Sequence, residues 1–473
     1  MDRSRARADA RRPPATIIGV NPTPAQLVAH LVALGHRPAA LVGDWFGHAA
    51  VVAVDCAPRP VAGGAASAFS LDDAPSPLTS TDPEPWCFGW SPYSGPAFSA
   101  QTRDVLFYDE PGTWSAAPGA SAELAGKLPD LLTAAARIGL PDDPRIDWDH
   151  GTPAARAAHE RGVLDCLDSI RAGDVYQACL STRFHGKVAA AVDEGTTPNP
   201  TVGAAAAWWA RRVVKHEPVR AAFLAGIDAD GRDVVVASLS PEEFLVRDGA
   251  TVRESPIKGT VPATADPAEL AASRKDIAEN IMIVDLVRHD LGRVAVTGGV
   301  RVTDLLAVRP APGVWHLVSE VTATLPDGTP HADLIDACFP PASVTGTPKI
   351  RAAELISRWE PEPRGVHCGG VGAAVGDRLE LNVAIRTAEF RGPGGMLCDD
   401  GGPDQGRAGA GNPAGTTGAR GTAEMTGTTD ASITAGTAIT VEAGVGGGIT
   451  IDSDPAKEWN EIMAKAAPLL DGA

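Results

Sequence analysis

A mixed α/β (α+β) fold follows from three features of this chain. Apolar runs of strand length recur, as at residues 39–45, 49–54, 220–227 and 234–239. Longer stretches carry helix signals; Asp266 and Pro267 are an N-cap and a first-turn proline. Hydrophobic residues make up 44% of 473, enough for one large core or two ordinary ones.

The elements are expected in the following order. Residues 1–145 begin with a basic tail (Arg3, Arg5, Arg7, Arg11, Arg12), read as short and disordered. The strands at 39–45 and 49–54 and an aromatic loop at 86–98 come next. Pro, Asp and Gly at 141–152 mark a boundary, so residues 146–473 form a second region. There a helix over 153–172 precedes strands at 174–184, 220–227 and 234–239. A hairpin over 243–252 turns at Asp248-Gly249. A long helix is expected over 267–289, a strand over 313–325, a helix over 348–359 and paired strands at 369–375 and 379–390. Residues 391–435, dominated by Gly, Ala, Thr, Pro and Asp, read as a disordered insertion. Order returns at 438–441, and a final helix covers 455–470.

Composition excludes several functions. A net charge of −18 argues against nucleic acid as the partner. No apolar stretch is long enough to span a bilayer, and the N-terminus lacks the apolar core of a signal peptide. Seven scattered cysteines without a CxxC pair read as reduced thiols, which fits a cytoplasmic protein.

The chemistry centres on Lys258, in Ser255-Pro256-Ile257-Lys258-Gly259-Thr260. Its neighbours favour an extended strand running into a bend that Gly259 permits. Such a lysine is either an ion-pair partner or a nucleophile. Asp276 with Glu279, and Glu458 with Glu461, are i,i+3 acidic pairs. Two such helix faces brought together would suit a hard cation such as Mg²⁺; separately they are solvated carboxylates. Lys465 follows Glu461 by four residues. His316 and Arg386 stand in apolar strands, and a buried arginine needs an anionic partner. Gly446, Gly447 and Gly448 form a turn or let backbone N–H groups approach an anion.

The order of the motifs is more specific than any one of them. Gly173-Asp174-Val175-Tyr176-Gln177 is followed by Ser240-Pro241-Glu242 and Pro256-Ile257-Lys258-Gly259-Thr260. Lys275-Asp276-Ile277-Ala278-Glu279-Asn280, His316-Leu317-Val318-Ser319 and Ser343-Val344-Thr345-Gly346-Thr347-Pro348-Lys349 come next. Ala384-Ile385-Arg386-Thr387 and Asp452-Ser453-Asp454-Pro455 close the series. Over about residues 153–470 it resembles the chorismate-utilising enzymes. The resemblance implies a sandwich of two large antiparallel sheets flanked by helices. It also implies Mg²⁺ held directly by Glu279 and Glu461 and through water by Asp276 and Glu458. Glu242 corresponds to the general acid and His316 to a histidine close to the ring. Arg386, Lys465, Gly446, Gly447 and Thr345 would hold substrate carboxylates.

Within that family, Gln177 stands where water-using members carry a lysine, so the resemblance is to ammonia users. Lys258 stands where anthranilate synthases typically carry alanine, and it resembles the nucleophile of aminodeoxychorismate synthase component I. Gly259 and Thr260 complete that motif. The implied reaction makes 4-amino-4-deoxychorismate from chorismate, for para-aminobenzoate and folate. No Gly-x-Cys-x-Gly elbow is present, so a separate glutamine amidotransferase subunit is implied as the ammonia source. Anthranilate synthase component I is the alternative. A non-catalytic chorismate-binding or amidotransferase-docking protein is the competing class. His289, Thr347, Pro341-Ala342, Cys179 and His367 depart from the family pattern.

Overall fold

The computed structural model describes residues 21–70, 83–109, 112–189, 198–393 and 438–470. The expected basic tail and residues 394–435 of the expected insertion lie outside the described residues. Among the described residues the strands form two antiparallel sheets, one of 11 strands and one of 10. The larger runs from Gly346–Thr347 through Gln177–Val188, Thr440–Ile449, Thr387–Arg391, Asp233–Ser240 and Arg220–Ile227 to Ala39–Trp45 and beyond. The smaller runs from Ile257–Pro262 through Val314–Thr324, Thr251–Glu254, Glu243–Asp248, Arg378–Val383 and Gly370–Val375 to Trp86–Ser91. Both sheets draw strands from either side of residue 145.

The apolar strands are continuous because the larger sheet is covered on both faces. Leu41, Leu224, Val234 and Val236 point between the sheets, against Trp86, Phe88, Trp90 and Val371. Their neighbours Ala40, Phe223, Val235 and Ala237 point the other way. There Pro24–Ala33, Pro200–His216 and Pro455–Leu470 supply Leu27, Trp208, Trp209 and Ile462. Helices Arg274–Gly292 and His331–Cys338 cover the outer face of the smaller sheet with Ile283, Val287, Leu334 and Ile335. The layers are helix, sheet, sheet, helix.

A buried ion triad ties the two sheets. Arg220 of the larger sheet reaches Glu243 and Glu380 of the smaller, each at 2.5 Å. Removing Arg220 would leave the buried Glu380 without its cation, at a cost of roughly 3–5 kcal/mol.

Three expectations are corrected. Residues 267–289 are not one helix. A short helix, Ala268–Ala272, stops at Ser273, which is extended and accepts the Asp276 N–H as N-cap of Arg274–Gly292. A side-chain oxygen that caps a new helix competes with continuation of the old one. The segment 379–390 is not one strand. Arg378–Val383 ends in the smaller sheet, Arg386 adopts φ 48°, and Thr387–Arg391 enters the larger sheet. Residues 86–98 are not a loop; Trp86–Ser91 pairs with Ala97–Thr102.

Candidate active site

The smaller sheet presents Lys258 through a β-bulge. Ile257 pairs with Val318 and Thr260 with His316, so two residues, Lys258 and Gly259, oppose one. Gly259 has φ 85°, and a Cβ there would sit 2.9 Å from Asp276. Only glycine fits, and the bulge re-aims the lysine. Thr260 Oγ1 and His316 Nδ1 are 2.8 Å apart, which fixes the imidazole across the same pair of strands.

Glu242 and Arg386 occupy adjacent crossovers between the sheets. Asp233–Ser240 passes into Glu243–Asp248 at Pro241-Glu242, and Arg378–Val383 passes into Thr387–Arg391 at residues 384–386. The crossovers are hydrogen-bonded: Val383 N donates to Glu242 O at 3.1 Å and Leu239 N to Arg386 O at 2.9 Å. Ser240 Oγ donates to Val383 O at 2.6 Å.

The glycine run is not a turn. It lies within the strand Thr440–Ile449. Gln177–Val188 pairs along its whole length, but Thr387–Arg391 pairs no further than Ala443. From Gly444 to Gly448 one strand edge therefore faces the space between the sheets. Side chains are excluded at two points: a Cβ at Gly444 would lie 2.2 Å from His367 Cγ, and one at Gly446 2.6 Å from Ser181 Oγ. The result is a surface of bare peptide groups.

These elements enclose a cavity of about 440 Å³. It is lined by Glu242, Lys258, Gly259, Thr260, Asp276, Glu279, His316, Arg386, Gly446, Gly447, Glu461 and Lys465. Gln177, Thr345 and Glu458 are buried outside this lining. Thr345 Oγ1 is engaged by Pro341 O at 2.9 Å. Sequence reasoning gave no role to Lys275 or the Ser343 carbonyl, and singled out His367 only as a departure from the family pattern. Lys275 stands 3.8 Å from Glu279 Oε1. The Ser343 carbonyl accepts from Lys258 Nζ at 2.8 Å. His367 Nε2 meets Ser181 Oγ at 3.2 Å. Lys275 could have been found from its place one turn before Glu279; the Ser343 carbonyl carries no side-chain signal.

Burial pushes the Glu242 carboxyl up, opposed by Lys258, the Ser343 hydroxyl and the Ile257 backbone. Burial also raises Glu279, against Lys258 and Lys275. Burial acts on Glu461 in the same sense, but Lys465 at 2.6 Å, with Lys275 and Lys258, outweighs it and holds that carboxylate low. His316 is lowered by burial and then by Arg386, so it favours the neutral imidazole. His367 is pushed down to about 3, chiefly by burial. Among the described residues no carboxylate lies within ion-pair distance of Arg386, whose charge burial disfavours. A cation in that position is ready for a carboxylate ligand.

Among the described residues, no three His, Cys, Asp or Glu groups stand close enough to make a preset metal cage. The donor set nevertheless fits a hard cation. Glu279 Oε1 and Glu458 Oε2 are buried without a hydrogen-bond partner. Glu458 Oε2 and Glu461 Oε1 lie 3.5 and 3.8 Å from the Cβ position of Gly447, and Glu279 Oε2 3.6 Å from that of Gly448. Carboxylate oxygens from both helices thus converge on the glycine strand. The six described cysteines form no disulfide. Among the described residues no helix is long and apolar enough to cross a membrane.

A family model described as chorismate binding enzyme matches residues 139–402 and 417–471. Aminodeoxychorismate synthase component 1 of Escherichia coli is 39% identical over 241 residues, covering 49% of this chain and 49% of that one. Anthranilate synthase component 1 of Thermus thermophilus is 36% identical over 241 residues, covering 49% of this chain and 48% of that one. The chain spans about half the length of these curated relatives. Anthranilate synthase component I from Streptococcus pneumoniae superposes with a TM-score of 0.59 at 20% identity, covering 99% of this chain and 94% of that one. The menaquinone-specific isochorismate synthase of Escherichia coli gives 0.63 at 16%, covering 97% and 95%. The two-sheet fold is shared with these structures.

Proposed function

The chain belongs to the family of chorismate binding enzymes, and from that premise we propose that it aminates chorismate at ring carbon 4, as an aminodeoxychorismate synthase component 1. The observation that carries this reading is Lys258, delivered into the cavity by a bulge and sharing it with Glu242. The 39% identity to a synthase of that name supports it.

In this reading Arg386 and Lys465, with the open edge of Gly446 and Gly447, hold the substrate carboxylates. The Lys258 amine attacks ring carbon 2, the ring double bond shifts, and the bond from carbon 4 to its hydroxyl breaks. Glu242 gives the departing oxygen its proton and water leaves. Ammonia then attacks carbon 4, the double bond shifts back, and the bond to Lys258 breaks. His316, held by Thr260, shapes the ring side as a neutral group. Glu279 and Glu461 would hold Mg²⁺, with Asp276 and Glu458 acting through water. When bound, the ion supplies neutralisation of a substrate carboxylate and Lewis acidity. Ammonia comes from a glutamine amidotransferase subunit.

Incubation with chorismate, Mg²⁺ and ammonium, followed by an aminodeoxychorismate lyase, should release para-aminobenzoate. Anthranilate as the product would establish the alternative, which the 36% identity to an anthranilate synthase keeps in view. Mg²⁺ binding without turnover would identify a non-catalytic chorismate-binding protein.

A further inference from the structure

Glu254 ends the strand Thr251–Glu254 beneath the active cavity and is 5% exposed. Neither substrate binding nor the proposed chemistry uses it. The Cys338 thiol hydrogen-bonds its carboxyl, yet Oε1 has no partner. The other charges facing it are Lys349, Asp290 and Glu242. Lys349 is engaged by Asp290 at 2.5 Å and by the carbonyls of Cys338 and Pro340, each at 2.7 Å. It is therefore not free to neutralise Glu254 fully.

Between Glu254 and Glu242 lies a separate small cavity of about 10 Å³, lined also by Glu243 and Ser343. That is about the space of one water, and the lining supplies the polar groups a buried water needs. Of the three carboxyls there, Glu243 is held as carboxylate: burial would raise it, but Arg253 and Arg220 outweigh burial. Glu254 is the opposite case. Burial, with Asp290 and Glu242 adding to it against Lys349 and Cys338, pushes it up to about 8. It carries a proton at neutral pH, next to an acid that must be recharged.

We propose that Glu254 restores the proton of Glu242 through one water held in the small cavity between them. The inference rests on the reading of Glu242 as general acid. Glu254 touches no reacting atom; it is a positioning residue that acts through Glu242. When Glu242 has protonated the departing hydroxyl, the water passes one proton to Glu242 and takes one from Glu254. The water is not consumed, and Glu254 is left as a carboxylate. The surplus proton of the ammonium formed at carbon 4 returns along the same path to Glu254. Over the cycle one C–O bond is exchanged for one C–N bond and one water leaves.

The test uses the full chain with ammonium as nitrogen source. Glu254→Gln should lower kcat at least about tenfold while leaving KM for chorismate within about twofold. It should also remove the alkaline fall of kcat that tracks Glu254. Glu254→Asp, an acid one methylene shorter, should recover part of kcat. An unchanged kcat and pH profile in Glu254→Gln would overturn the proposal. So would a loss confined to KM or Tm, with Glu254→Asp no better than Glu254→Gln. Infrared titration of the carboxyl bands decides the link without turnover: Glu242→Gln should lower the midpoint of Glu254, and an unmoved midpoint means no link. A chain that never turns chorismate over would sink the proposed function, yet the infrared result would still stand.

Discussion

Lys258 Nζ donates to the carbonyl oxygen of Ser343 at 2.8 Å. That contact holds the amine over the cavity floor, beside the Glu242 carboxyl that the Ser343 hydroxyl also touches. Lys258→Ala should lower turnover of chorismate with ammonia on the order of a hundredfold while leaving Tm nearly unchanged. Intact-protein mass spectrometry on the wild type should trap an adduct on this residue. Full activity in Lys258→Ala would remove the covalent route.

In the proposed function Arg386 serves a ligand and not the fold. Its charge is buried at the crossover with no carboxylate partner among the described residues. Arg386→Leu should therefore keep or raise Tm while raising KM for chorismate about tenfold or more, a stability–function trade. Arg386→Lys should restore little of the affinity, because a guanidinium fork is lost. A fall in Tm with unchanged KM would contradict this assignment.

Two neighbouring glycines should fail in different ways. Gly444→Ala drives a methyl into the His367 ring and should destabilise the chain by about 1–3 kcal/mol. Gly447→Ala meets only ordinary contacts, the nearest being Glu458 Oε2 at 3.5 Å. It should fold normally and lose affinity for chorismate. Denaturant melts paired with binding measurements separate the two; equal stability losses would mean that the open edge is not a binding surface.

Mg²⁺ should raise the Tm of the wild type, by about 2.7 kcal/mol of stability at a hundred times Kd. Glu279→Gln should lose most of that shift. Its metal-free form should be no less stable than the wild type, since a buried carboxyl raised by desolvation becomes a neutral amide. Calorimetric titration would show the loss directly.

Glu254 gives stability a pH dependence. Its folded value of about 8 lies above the ordinary glutamate value of 4.5, so the folded chain binds this proton more tightly than the unfolded chain. Its contribution is complete below about pH 4.5 and disappears as pH rises through about 8. Relative to the wild type, Glu254→Gln should gain on the order of a few kcal/mol between those limits. Urea melts at pH 5 and pH 9 should show the two proteins diverging only at the higher pH.

Much of this was legible in the sequence, for reasons that differ by residue. Pro153–Ala172 and Asp233–Ser240 announce themselves by caps and apolar runs, because local chemistry decides them. Ser273 ends the helix that Asp266 and Pro267 begin, since one cap overrides a continuous periodicity. Arg386 was invisible as a crossover residue. Hydrophobicity on either side is uninterrupted, and which sheet a strand joins is settled by partners distant in sequence. The motif order drew attention to Glu242, Lys258, Glu279 and Glu461, and the fold brings all four to one cavity. Glu254 was missed because a buried acid in a strand looks like any other until its neighbours are known.

The paired crossovers make the cavity a seam between two rigid plates. Glu242 and Arg386 are set at a fixed stride by the thickness of the aromatic filling, Trp86, Phe88 and Trp90, that keeps the plates apart. A thinner filling would bring the plates closer and shorten that stride without touching either residue. Interior packing thus gauges the spacing of two groups that line the cavity, and repacking it would alter that spacing while leaving both side chains unchanged.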